Sequence, residues 1–268
     1  MVNLPDFSIE KNNLVSLVTR KIAELKVTDT NERFDKKLKI DIASVTNILD
    51  AIESKIKKTE IIYHTYFANI DHGILSGNSA TLPKHVNNVF MDGTAQLEYS
   101  FKVDDKAVYK ELIDLNFQNF ILLMASIYEN LVILSEMLIK KVVVGMPQPI
   151  SIPLHNYTMH LENLITLGYR KNDKLNTCII SSAGFFNKYL PHINSLRNKF
   201  IHGYSINLAS DGAYYFVSKL SFTHFTTPGD LIVDAYVFTI LENSKTFISA
   251  LLVALKESIK HHSKTVPA

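Results

Sequence analysis

Between about Glu32 and His72, Ile42, Val45, Ile48, Leu49, Ile52, Ile56 and then Ile61-Ile62 recur at steps of three and four. Lysines and acids fill the intervening positions, a pattern that predicts an amphipathic helix. A weaker version runs from about Ile9 to Leu25 and predicts an N-terminal helix. Asp104-Asp105 offers an N-cap and an acidic first turn for a third helix over about 106–143. Its apolar side carries Phe117, Phe120, Ile121, Met124, Leu131, Leu134 and Leu138, and Gly145-Met146-Pro147-Gln148-Pro149 closes it. Shorter helices are predicted at about 157–167, 173–189 and 192–202. A final one at about 231–261 carries Val233, Val237, Ile240, Leu241, Phe247, Leu251, Leu252 and Leu255. Two segments alternate polar and apolar residues as half-buried strands do, Gln96–Val103 and Gly212–Leu220, and they are expected to pair with each other as a small ribbon. The fold class that follows is all-α: a bundle of four to five principal helices with a small β-ribbon and an N-terminal helical extension. Residues 1–104 form the extension, which includes the first strand candidate. Residues 105–268 form the bundle, unless the two make one continuous domain.

A chain of 268 residues, 47% apolar, can bury a sizeable core. The formal charge of +2 gives no global basic field, so any contact with nucleic acid must be local. The single cysteine, Cys178, excludes an internal disulfide framework and sits in the apolar run Thr177-Cys178-Ile179-Ile180, where it reads as a core residue. The first residues lack the basic-then-apolar order of a signal peptide. The apolar stretch Phe120–Leu134 is interrupted by Glu129 and Asn130 and is shorter than the roughly 20 residues a bilayer span needs. A cytoplasmic protein without a membrane partner is expected.

Chemistry enters with the run Arg197-Asn198-Lys199-Phe200-Ile201-His202-Gly203-Tyr204. Arginine is scarce, at only positions 20, 33, 170 and 197 among 28 basic residues. Its planar, permanently charged fork suits phosphate, and imidazole is the side chain best suited to moving protons near neutral pH. Spacing alone decides little, since roughly 0.4 such Arg–His pairs arise by chance in a chain of this composition. The adjoining Asn198, Gly203 and Tyr204 add the weight. There is a plainer alternative: His202 occupies the last helical turn, Gly203 is the left-handed residue after the cap, and Arg197 lies on the surface. Five residues along an unbent helix turn about 140°, so a shared site requires the helix to loosen near His202.

Arg197-Asn198-(x)3-His202-Gly203-Tyr204 resembles the Arg-x(4–6)-His signature of HEPN domains, compact helical bundles of which many are metal-independent ribonucleases in toxin–antitoxin and phage-defence systems. The resemblance covers this motif and the order of helices from about Lys106 to His261. It implies catalysis by Arg197, Asn198 and His202 in a cleft shared by two copies of the chain, with RNA as substrate and no cofactor or metal. Arg197 would hold the phosphate, His202 would move the proton, and Asn198 would donate an orienting hydrogen bond. Glu129, an acid among apolar neighbours, would be the inward polar residue of the first long helix, supporting Arg197 or His202. Tyr204 resembles the tyrosine of HEPN toxins paired with a nucleotidyltransferase antitoxin, which implies adenylylation of its hydroxyl; a half-buried aromatic after the cap is the plain reading. Two other functions compete: a catalytically inactive HEPN-like module that binds RNA, nucleotide or protein, and a helical scaffold outside the family.

Other candidates carry less. His64, Asp71 and His72 lack a compact metal-ligand spacing and read as solvated or capping residues. His155 and His160 have no partner pattern, and His261-His262 with nearby lysines reads as a solvated basic end. Phosphate-binding loops, dinucleotide fingerprints and nucleophile elbows are absent from the sequence.

Overall fold

The computed structural model describes residues 5–28, 42–76, 84–92, 95–103, 105–138, 189–203, 206, 208–210, 213–218 and 231–262. The expected helices at 157–167 and most of 173–189 lie outside the described residues, as do Cys178, His155, His160 and Tyr204. The described chain is mostly helical. In order it runs α1 (Pro5–Thr28), α2 (Ile42–Ile62), a π-turn (Tyr63–Phe67), α3 (His72–Ser76), β1 (Lys84–Asp92), β2 (Ala95–Val103) and α4 (Lys106–Glu136). Then come α5 (residues 189–201), β3 (Leu208–Ser210), β4 (Tyr215–Val217), β5 (Leu231–Ile232) and α6 (Val233–His262). This is the all-α fold with a minor β component that the apolar periodicity predicts.

The chain divides into two compact units. The first takes Met1–Ser54, Ile127–Asn187 and Ser244–Ala268, and the second takes Lys55–Ser126 and Lys188–Asn243. Each unit therefore draws on residues from both sides of position 104, and α2, α4 and α6 each contribute to both.

In the first unit α1 buries Phe7, Leu14, Leu17 and Val18 at helical spacing. Polar bonds fix its position: Ser8 donates to Glu53 Oε1 at 2.9 Å, Lys11 pairs with Asp50 at 2.9 Å and with Glu53, and Lys256 of α6 donates to Glu10 at 2.5 Å. Tyr128 of α4, fully buried, shares a hydrogen bond of 2.6 Å with Ser244 of α6. Ile127, Leu131, Leu134, Leu251, Leu252 and Leu255 fill the rest of this core.

In the second unit Asp105 caps α4, its Oδ1 accepting from the backbone N–H groups of Ala107 and Val108 at 2.6 and 3.2 Å. Ile113, Phe117, Phe120 and Ile121 form the buried side of that half of the helix. α2 loosens into the π-turn, closed by Ala68 N–H to the Tyr63 carbonyl at 2.8 Å. Asp71 then caps α3 by accepting from Ile74 N–H at 3.1 Å.

The two strand candidates fall on strands, but their expected mutual pairing is overturned. β2 pairs antiparallel with β1, from Lys84↔Val103 to Asp92↔Ala95, and only residues 93 and 94 join the strands. Gly93-Thr94 matches the Gly-X signal of a two-residue hairpin connection, and a connection that short makes the local partner reach β2 first. β4 instead pairs antiparallel with β3 (Leu208↔Val217) and with β5 (Phe216↔Ile232).

Two helical stretches, Lys106–Ser135 and Val233–Glu257, are long and apolar enough to cross a bilayer by length and composition. The apolar stretch of α4 is thus longer than the Phe120–Leu134 run suggests. About half of each window is buried within the protein, as in a core helix.

Candidate functional site

α5 forms because Leu190, Ile193 and Leu196 recur at three-residue steps and are all buried, together with His192 and Ser195. The opposite side is open: Asn198, Ile201, His202 and Gly203 are exposed, and Arg197 is half-buried at the edge. His202 N–H donates to the Asn198 carbonyl at 3.1 Å, a full α-helical bond, and Gly203 N–H donates to the Phe200 carbonyl at 3.2 Å. Gly203 has φ 75, so the helix ends with a left-handed glycine after the cap. The helix therefore does not loosen before His202; the break comes one residue later. Space is open around a Cβ at Gly203, so Gly203→Ala should cost about 1 kcal/mol through its positive φ alone, read as a lowered melting temperature.

The α-helical bond at His202 keeps Arg197 and His202 about 140° apart along the backbone. Asn198 offsets that separation. It stands four residues before His202, hence on the same face, and Arg197 Nη1 donates to Asn198 Oδ1 at 3.3 Å. The bond ties the guanidinium to Asn198, the residue one turn before His202. Arginine has no acceptor, so the amide must present its oxygen to Arg197, which leaves its NH2 as a donor toward solvent. The end of α5 thus offers hydrogen-bond donors and one imidazole on an exposed face, a combination suited to an anion. Glu129 is half-buried on α4 in the first unit, whereas Arg197, Asn198 and His202 belong to the second.

No family model, curated protein or solved structure matches this chain.

The remaining candidates separate in space. Asp71 is a capping residue, as its sequence context predicts. His64 is exposed. His72 has a structural role that no motif signals: its Nδ1 accepts from Tyr215 N–H at 3.0 Å, its Nε2 lies 3.4 Å from Asp234 Oδ1, and Tyr214 packs edge-on against the ring at 5.5 Å. The imidazole thus ties α3 to β4 and to the first turn of α6. Among the described residues, no three His, Cys, Asp or Glu side chains form a group that could hold a metal ion.

Beside this link, the Tyr215 hydroxyl donates to Asp114 Oδ1 at 2.5 Å. Burial pushes the Asp114 carboxyl above its ordinary range, with the Tyr215 bond and Lys110 opposing the shift and Glu111 adding to it. Because the folded chain holds this proton more tightly than the unfolded one, stability from Asp114 is greatest at low pH. It declines as pH rises from the ordinary carboxylate value through the raised one. Asp114→Asn keeps an acceptor for Tyr215 without a buried charge. It should melt above the wild type at neutral pH, and the difference should vanish toward about pH 4, near the unshifted carboxylate range; melting curves across that interval check the sign.

The second unit also holds a groove of about 450 Å³ between α2 and α4, lined by Lys55, Lys58, Ile62, Asn119, Leu122 and Ser126. Lys55 Nζ donates to Ser126 Oγ at 2.6 Å across it. Neither Arg197 nor His202 lines this groove.

Proposed function

We propose that this chain is a metal-independent endoribonuclease of the HEPN type, a toxin or phage-defence effector acting in the cytoplasm, that cleaves RNA in a cleft between two copies. The observation that carries this reading is the exposed end of α5, where Arg197 hydrogen-bonds Asn198 and Asn198 shares a face with His202. In the proposed reaction one His202 takes the proton of a ribose 2′-OH, and the freed oxygen attacks the adjacent phosphorus. The bond to the 5′-oxygen breaks as the same imidazole passes that proton on to the leaving oxygen. Arg197 offsets the charge that develops on the phosphate, and Asn198 directs its NH2 to a phosphate or base oxygen. The products are a 2′,3′-cyclic phosphate and a 5′-OH. A shared cleft also suits the roughly 140° between Arg197 and His202 in one copy, since each residue can be completed by the other chain. Metal independence and a nucleotidyltransferase antitoxin acting on Tyr204 come from the family resemblance.

That same angular separation favours a second reading, in which the motif binds RNA, a nucleotide or a protein without cleaving. An RNA cleavage assay in EDTA with wild type, Arg197→Ala and His202→Ala separates the two. Cyclic-phosphate ends from the wild type alone support the nuclease; RNA binding without cleavage by any of the three supports the binding module.

A further inference from the structure

Both nitrogens of His72 are engaged, by partners of opposite kinds. Tyr215 N–H donates to Nδ1 at 3.0 Å. A backbone amide can only donate, so Nδ1 presents its lone pair and the hydrogen of the neutral ring sits on Nε2. Nε2 faces Asp234 Oδ1 at 3.4 Å, and that oxygen is buried without a hydrogen bond among the described residues. No lone pair is left for a substrate, so the ring holds structure rather than acting as a base. Its side chain is 18% exposed, enough for a proton to arrive from solvent.

An imidazolium carries hydrogens on both nitrogens. On His72 the second hydrogen would meet the Tyr215 N–H head-on, and the bond to β4 would be lost. The same charge would strengthen the attraction to Asp234 and give its buried oxygen a donor. The surroundings keep this exchange local. β4 retains its pairing with β3 and β5, and the Tyr215 hydroxyl retains its bond to Asp114 of α4. Tyr214 of β4 packs edge-on against the imidazole, and Asp71, next to it in the chain, is occupied in capping α3. On the far side of Asp234, Tyr63 of the π-turn feels the charges of Asp234 and Glu242.

We infer that His72 is an acid-sensitive latch: neutral, it fastens α3 to β4 through Tyr215; protonated, it lets go of β4 and tightens on Asp234. Imidazole is the side chain whose charge ordinarily changes between about pH 5 and 8. The fastened state excludes a proton that the released state accepts. Release is therefore favoured as pH falls, by up to about tenfold per pH unit for one proton. Asp114 acts in the opposite sense, because its raised carboxyl adds stability toward low pH. A loosening of β4 in acid thus cannot come from Asp114. β3, which pairs with β4, begins at Leu208 shortly after Gly203, so the latch holds the sheet into which the chain runs from the candidate site.

Amide hydrogen exchange of the full chain, resolved by NMR and corrected for the intrinsic effect of pH, tests the latch. Protection of the Tyr215 amide should fall about tenfold or more between about pH 8 and 5.5, while Phe117 and Phe120 in α4 keep theirs. Nitrogen shifts of His72 should place the hydrogen on Nε2 at the upper end of that range. His72→Gln offers Tyr215 an oxygen and Asp234 an NH2 without titrating, so Tyr215 protection should become level with pH. Asp234→Asn removes the charge that favours the imidazolium, and release should move to lower pH. A hydrogen on Nδ1 in the neutral ring, or level Tyr215 protection in the wild type, would overturn the inference. So would a fall that persists in His72→Gln, or release at an unchanged pH in Asp234→Asn.

Discussion

His202→Ala is expected to lower metal-independent RNA cleavage by about 10²- to 10⁴-fold, the range that positioned acid–base groups supply. The fold should survive, because the His202 side chain is exposed and the helix end is held by the backbone bonds at His202 and Gly203. Arg197→Ala should lose about 10²- to 10³-fold through the developing phosphate charge. Arg197→Lys should recover only part of it, since an ammonium cannot reproduce the planar fork that reaches Asn198. Mixing the two alanine variants gives a sharper result. If the cleft is shared, mixed dimers carry one intact arginine and one intact histidine and regain part of the activity. Complete inactivity of the mixture, beside an active wild type, would mean that each copy works alone. Cleavage by His202→Ala at the wild-type rate in EDTA would end the nuclease assignment.

The largest stability effect is expected at Tyr128. Its ring is fully buried, its hydroxyl is bonded to Ser244 at 2.6 Å, and burial holds its phenol protonated well above the ordinary range. Tyr128→Ala removes a large core side chain and should cost about 3–5 kcal/mol. For a chain of this size that is a fall of roughly 6–20 °C in melting temperature. Tyr128→Phe keeps the ring and leaves the buried Ser244 hydroxyl without it, for about 1 kcal/mol, because a helical serine can turn to the carbonyl one turn back. Adding Ser244→Ala to Tyr128→Phe should recover part of that loss. A Tyr128→Ala melting point within a degree or two of wild type would show that the ring is not packed as described.

The helices were legible because their apolar residues repeat over many turns. Val45, Leu49, Ile52 and Ile56 of α2, and Val233, Val237, Ile240 and Leu241 of α6, are buried in the order their spacing predicts. β2 was legible as a strand and its partner was not, since alternation shows which residues share a face and says nothing of what lies beside them. The two-residue connection Gly93-Thr94 held that information. β4 lies within the alternating Gly212–Leu220 segment, but β3 and β5 span only three and two residues, too short for alternation to appear, and the placement of β4 depends on contacts such as Tyr215 with His72 across 143 residues. At the candidate site the residue types and the terminal glycine could be read directly. Where the helix ends relative to His202 could not, because one backbone angle at Gly203 decides it.

The bond from Lys256 to Glu10 has a consequence for synthesis. The two residues are 246 positions apart. A ribosome adding about 5–20 residues per second needs roughly 12–50 s to cover that distance. Leu14 and Leu17 stand four and seven residues after Glu10 on the same face of α1, so that apolar face is without α6 throughout that interval. The nascent chain thus carries an uncovered apolar surface for longer than most local structure takes to form. Chaperone engagement with the emerging N-terminus, and its release once α6 is made, would be the cellular signature of this long-range closure.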